Sequence, residues 1–187
     1  DARVQKLTER FDTVGINQPV EPAGALRLTP VATYSSGVFD DSAAEIVAHD
    51  TDSQRLFVVS SAGSIVRVLD ASDPEGNGLP QINSIAAPLA NFVPNSVDTF
   101  DGPLGRAVAV AWADDTGVAG RGVVTLYAPD TPVQIGSNIT VGVLPDMLTL
   151  TPDGSEIVVA NEGEDVGGTN PGGSFLIIAF VGSTGTA

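Results

Sequence analysis

The sequence predicts an all-β chain built as a β-propeller of four-stranded antiparallel blades, about three of them present. Three observations carry that reading. Apolar openings recur: Glu45-Ile46-Val47, Ser96-Val97-Asp98 and Asp146-Met147-Leu148, with 51 positions from Ile46 to Val97 and 50 from Val97 to Met147. Behind each opening, further short apolar runs follow in the same order. Composition agrees, since 21 glycines, 13 prolines and a charged fraction of 17% favour strands joined by many turns over helices.

The elements fall into place in chain order. Residues 1–24 stand apart: "DARVQKLTERF" sets Val4, Leu7 and Phe11 at helical spacing, and "NQPVEPAG" ends any helix and acts as a linker. From residue 25 to 187 the chain reads as propeller, with nothing helical after Leu26. "ALRLTPVATY" at 25–34 is expected as a strand that latches a ring closed.

The first blade starts near 44 and runs through "EIVAHD", "RLFVVS", "SIVRVLD" and "QINSIAA". The second starts near 95, with "SVDTFD", "RAVAVAW", "GVVTLYAPD" and "PVQIGSNITV". The third starts near 146, with "DMLTLTPD", "EIVVAN" and "SFLIIAF", and lacks its outer strand. Four short strands per unit of this length is a propeller signature. Turns at equivalent places close the first hairpins: "DTDSQ", "DGPLG" and "PDGS". A β-sandwich of about ten strands is the rival architecture, and a repeat of this length is no property of it. Propellers close with roughly four to eight blades, so the chain is expected to be the N-terminal part of a larger ring, of seven blades.

Charge narrows the function. Eight basic against 23 acidic residues give a formal charge of -15, which repels nucleic-acid phosphates and anionic membranes and attracts cations. Only Lys6 is a lysine, and a lysine-poor, acid-rich surface fits a salty extracellular setting. Without cysteine there are no disulfides, thiolate zinc sites or cysteine nucleophiles. No apolar stretch reaches the roughly 20 residues of a membrane helix.

The repeats also carry a resemblance. "VGVLPDMLTLTPDGSEIVVANEGE" resembles the YVTN-type β-propeller repeat, with its Pro, Thr-Pro-Asp-Gly and Val-Ala-Asn hairpin. More narrowly, "YSSGVFDDSAAEIVAHDTDSQRLFVVSSAGSIVRVLDASDP", "PNSVDTF" and "LPDMLTL" look like the choice-of-anchor I propeller domain over roughly residues 26–165. "SFLIIAF" departs from the Gly-Ser-Val-x-Ile-Ile-Asp ending usual in such repeats. The resemblance implies a secreted or cell-surface propeller with a site on its channel or top face. It also brings in alkaline phosphatase-like proteins and mesenchyme-specific cell-surface glycoproteins as relatives.

Loops entering and leaving the innermost strands crowd the channel of a propeller. The entries are Glu45, Asn95 with Ser96, and Asp146; the exits include Asn161, Glu162 and Glu164; Asp40 and Asp41 lie just upstream. Oxygen ligands converging from several blades suit calcium, which takes six to eight of them. Two other readings stand beside it: acidic loops that keep an acidic protein soluble, and a site for a cationic or sugar partner. The metal candidates are thus Asp41, Glu45, Asn95, Asp146, Asn161, Glu162 and Glu164.

Other motifs carry less chemistry. "DTDSQ" does not complete a calcium loop and reads as a turn. "EDVGGTNPGGS" lacks the Gly-Lys-Ser/Thr of a phosphate cradle and reads as a hairpin tip. His49, the single histidine, sits beside Asp50 with no nucleophile elbow to support a triad. Trp112 reads as blade packing. The sequence therefore points to an extracellular binding or structural scaffold, with calcium, for a protein, glycan or matrix partner or for remaining blades. The alternative is a metal-dependent phosphatase or esterase, a phosphoric-ester hydrolase, at the channel mouth. No catalytic residue is assigned.

Overall fold

Turn chemistry lays out the hairpins. The computed structural model describes residues 28–39, 42–102, 105–117, 119–164, 168 and 170–181. The chain divides into two units, Asp1–Pro30 and Val31–Ala187. Of the first only residues 28–30 are described, and every strand among the described residues belongs to the second. The expected helix within 1–24 lies outside the described residues, as do Asp40, Asp41 and Asp165.

Three antiparallel sheets follow one another. The first holds β1 (Val47–Asp50), β2 (Arg55–Ser60), β3 (Ile65–Asp70) and β4 (Gln81–Ala86). The second holds β5 (Phe92–Gly102), β6 (Gly105–Asp114), β7 (Arg121–Tyr127) and β8 (Gln134–Val143). The third holds β9 (Pro145–Leu150), β10 (Glu156–Asn161) and β11 (Ser174–Ala179). Strands within each sheet pair with their chain neighbours, as expected of hairpins repeated in register. Where each first hairpin enters its second strand, a positive φ recurs: Gln54 at 53°, Gly105 at 100° and Gly154 at 65°. Two of the three turns use glycine, which reaches that region without a Cβ penalty.

Two departures from the sequence reading appear. The described part of the expected latch strand, 28–34, forms no strand; Tyr34 instead donates its hydroxyl to Gln81 Oε1 on β4 at 3.3 Å. A helical turn, α1 (Pro74–Asn77), interrupts the first sheet between β3 and β4. Its cause is local: Asp73 Oδ1 accepts from Gly76 N–H at 3.0 Å and Pro74 takes the first helical position, where no donor is missed.

The core lies between the sheets. Ala48, Phe57, Val59, Val66 and Val68 of the first sheet pack against Val108, Val110, Trp112 and Val123 of the second. Ala109, Ala111, Val124 and Val141, on the opposite side of the second sheet, pack against Leu148, Ile157 and Val159 of the third. β6 is thus buried on both faces, which explains why "AVAVAWA" is a continuous apolar run without strict alternation. β4 is exposed at five of its six positions, as an outer strand must be.

Candidate functional site

The innermost strands begin with a shared irregularity. On β5, Pro94 pairs with Trp112 and Ser96 with Ala111, so Asn95 is an extra residue without a partner. On β9, Pro145 pairs with Asn161 and Met147 with Ala160, leaving Asp146 extra in the same way. Before β1, Glu45 N–H donates to Val59 O while Ile46 O accepts from Val59 N–H, so two residues again oppose one. Each inner strand therefore opens with a β-bulge, a device that re-aims a side chain at a sheet end. Proline at 94 and 145 fits the pattern, because a residue without N–H is tolerated at a bulge.

These bulges bring the three expected entry residues together. Glu45, Asn95 and Asp146 line one cleft of about 330 Å³ with Ser42, Ile46 and Ser61. Glu45 and Asp146 are exposed and Asn95 is half-buried. The Ser61 hydroxyl lies 2.8 Å from Glu45 Oε2 and 3.0 Å from Pro94 O, tying the first sheet's loop to the second. The lining is oxygen-rich and carries two carboxylates with no cation among its residues. Among the described residues, no three His, Asp or Glu side chains come close enough to share a metal ion.

The strand exit behaves differently. Asn161 is buried, and its Oδ1 accepts from Gly142 N–H at 2.9 Å while Nδ2 reaches Ser174 Oγ at 3.3 Å. Its amide fastens the second sheet to the third and does not line the cleft. Glu162 and Glu164 are exposed at the same end of the sheets, since Asn161 pairs with Pro145, but neither lines the cleft. The end of this hairpin thus combines a buried amide, Asn161, with two exposed carboxylates, Glu162 and Glu164. Asp41 lies outside the described residues.

The residues 45–187 match the family model of the choice-of-anchor I domain, from the first bulge onward. The chain belongs to the choice-of-anchor I family. Among curated proteins, none matches it. Two solved structures are similar to this choice-of-anchor I chain. A luciferin-regenerating enzyme, a β-propeller, shares 14% identity at a TM-score of 0.50 over 76% of this chain and 46% of its own. A hydrazine synthase from Kuenenia stuttgartiensis shares 15% identity at a TM-score of 0.36 over 79% of this chain and 49% of its own. The first likeness shows the fold; this chain spans less than half the length of either structure.

At the other end of the sheets the choice-of-anchor I chain carries a feature that sequence reasoning missed. Arg106 of β6 pairs with Asp50, at the end of β1, and with Asp52 and Asp130 at 3.5 and 3.2 Å. Arg55 adds a bond from its guanidinium to Pro129 O at 2.7 Å. Asp50 is buried, and both its oxygens are engaged by Arg106 and Ser53, so it is not free to orient His49. The available signal was scarcity: with so few basic residues on so acidic a chain, each arginine has several carboxylates to choose from.

Proposed function

We propose that this chain is the binding part of a secreted or surface-associated β-propeller module, and that the Glu45–Asn95–Asp146 cleft accepts calcium shared with a partner. The observation that supports this is the recurrence of one bulge in three sheets, each aiming an oxygen-bearing side chain at one cleft. Two carboxylates, an amide oxygen and two serine hydroxyls fall short of the six to eight oxygens calcium takes. Water and a partner's own carboxylates or hydroxyls supply the remainder, as suits a scaffold that presents a surface to a protein, glycan or matrix component. The family's anchoring name and the formal charge of -15 favour the same setting. The ring of which these sheets form an arc is larger than three blades, and seven is the number we propose.

Calorimetric titration of calcium into the chelator-treated protein tests the reading. Binding in the micromolar to millimolar range is expected, weakened at least tenfold by Asp146→Asn and again by Glu45→Gln. Heat identical to that of the double variant would sink it. A phosphatase assay run with and without chelator on the same samples addresses the enzymatic alternative. Turnover that disappears with the metal and with Asp146→Asn would replace the scaffold reading.

A further inference from the structure

Of the eight asparagines in the chain, one opens an Asn-x-Ser/Thr triplet: Asn138-Ile139-Thr140, on β8. That pattern is an acceptor for N-linked glycan, and the fold presents it. β8 is the outermost strand of the second sheet and pairs within it with β7 alone. Val124 pairs with Ile139 and Leu126 with Ile135, so Gly136, Ser137 and Asn138 together face Thr125. Such a bulge takes the strand locally off its ladder. Asn138 and Thr140 are both exposed, and residues two apart on a strand share a face. A Cβ at Gly136 would meet nothing within 4 Å, so the space beside the bulge is open.

The amide is also held the right way round. Gln134 Nε2 donates to Gly136 O at 3.2 Å and to Asn138 Oδ1 at 2.8 Å. A carbonyl oxygen only accepts, so this end of Gln134 is its amide nitrogen and Asn138 meets it with oxygen. Asn138 Nδ2, the atom that takes a sugar, is left without a hydrogen-bond partner among the described residues.

We propose that Asn138 is an N-glycosylation site whose glycan covers the outer edge of the second sheet. Nδ2 bonds to C1 of a saccharide carried on a lipid pyrophosphate. The bond from C1 to the phosphate oxygen breaks, the lipid pyrophosphate leaves with the electron pair, and the amide gives one proton to a base of the transferase. The product is still an amide and keeps Oδ1, so the bond from Gln134 survives. An exposed outer strand invites pairing with another chain unless charge, proline or brevity blunts it. β8 runs for ten residues with neither a charge nor a proline, and Ile135 on it is 45% exposed. The proposal rests on the secreted reading, because a transferase using a lipid-linked donor works on the far side of the membrane a secreted chain crosses. It is independent of calcium in the cleft.

Peptide mapping by mass spectrometry of the protein from its source, with cells and extracellular fraction mapped in parallel, tests it. Asn83 is the internal reference: it is exposed on β4, the outer strand of the first sheet, but buried Ile85 stands two residues on in place of a hydroxyl. The Asn138 peptide is expected to carry a saccharide, and amidase release in heavy-oxygen water should leave labelled aspartate at that position. Asn83 is expected to be recovered bare. When the chain is secreted from the same cells, Asn138→Gln and Thr140→Val should abolish the addition and Thr140→Ser should keep it. A bare Asn138 peptide from the extracellular fraction overturns the proposal and leaves secretion standing. A protein confined to the cells with Asn138 bare overturns both. Addition that survives Thr140→Val also overturns the proposal, because the triplet is then not what the transferase reads.

Discussion

Arg106 of the second sheet grips Asp50 of the first, and this pair is the most deeply buried ion pair among the described residues. Asp50 keeps 7% of its side chain in water and Arg106 keeps 23%. Removing one partner of such a pair leaves a charge stranded in a poorly solvated place. Arg106→Ala is expected to cost about 3 kcal/mol, near the lower end for a broken buried pair. Urea denaturation at neutral pH reads the loss directly. A midpoint unchanged from the parent would show that Asp52 and Asp130 carry no share of the link and that solvent compensates Asp50.

The same pair sets an acid response. Burial by itself pushes the Asp50 carboxyl up, but hydrogen bonds from Arg106 and Ser53 outweigh it and hold the group below its ordinary 3.8. A carboxyl depressed on folding contributes stability that is full above the unfolded value and is lost as pH falls through the lower folded value. Thermal midpoints should therefore fall more steeply below about pH 4 in the parent than in Asp50→Asn, which has no such proton to take up. Parallel curves between pH 5 and pH 2 would contradict the assignment.

Asp153, in the Pro-Asp-Gly-Ser turn, offers a second acid probe. The Thr151 hydroxyl, then the Ser155 N–H and hydroxyl, bring its carboxyl down to about 2. Its side-chain resonance should titrate with a midpoint near that value in the parent, and nearer the ordinary range in Thr151→Val. The turn also limits substitution. A Cβ at Gly154, whose φ is 65°, would stand 2.8 Å from Gly102 Cα on the neighbouring sheet. Gly154→Ala is expected to destabilise by about 1–3 kcal/mol through strain and backbone contact.

The strands were legible because hairpins are local. "RLFVVS" and "EIVVAN" coincide with β2 and β10. The cleft was half legible. Repeat spacing placed Glu45, Asn95 and Asp146 at equivalent positions, and the bulges then carry them to one place. Asn161 was grouped with Glu162 and Glu164 because sequence shows adjacency and not the direction a side chain takes. Its partner Gly142 is 19 residues away, across a sheet boundary. Ser96 and Asp98 show the same limit: they accept from Leu148 and Leu150 N–H, both at 3.1 Å, 52 residues along the chain.

Asn161 separates structure from ligand binding. Asn161→Ala orphans the Gly142 N–H and should cost about 1–3 kcal/mol, the penalty for an unsatisfied buried donor. Calcium affinity measured at a temperature where the variant remains folded should be unchanged. Weakened binding at full folding would instead restore Asn161 to the ligand set.

Trp112 provides both the probe and the last test. Its indole Nε1–H donates to Thr125 Oγ1 at 2.7 Å, and both residues are fully buried between the first and second sheets. Thr125→Val keeps the shape of the side chain and removes the acceptor. The cavity stays filled, so packing is nearly constant and the change is the loss of the hydroxyl's polar contacts, with the indole N–H and with Tyr127. A loss of about 1–3 kcal/mol is expected for that donor. As the single tryptophan, Trp112 reports the transition by its own fluorescence, which should shift to the red on unfolding. Native emission should differ little between parent and variant, because the ring stays dry in both. If stability is unchanged while native emission moves to the red, water reaches the indole, and the interface between these sheets is looser than the packing of Val108, Val110 and Val123 around it implies.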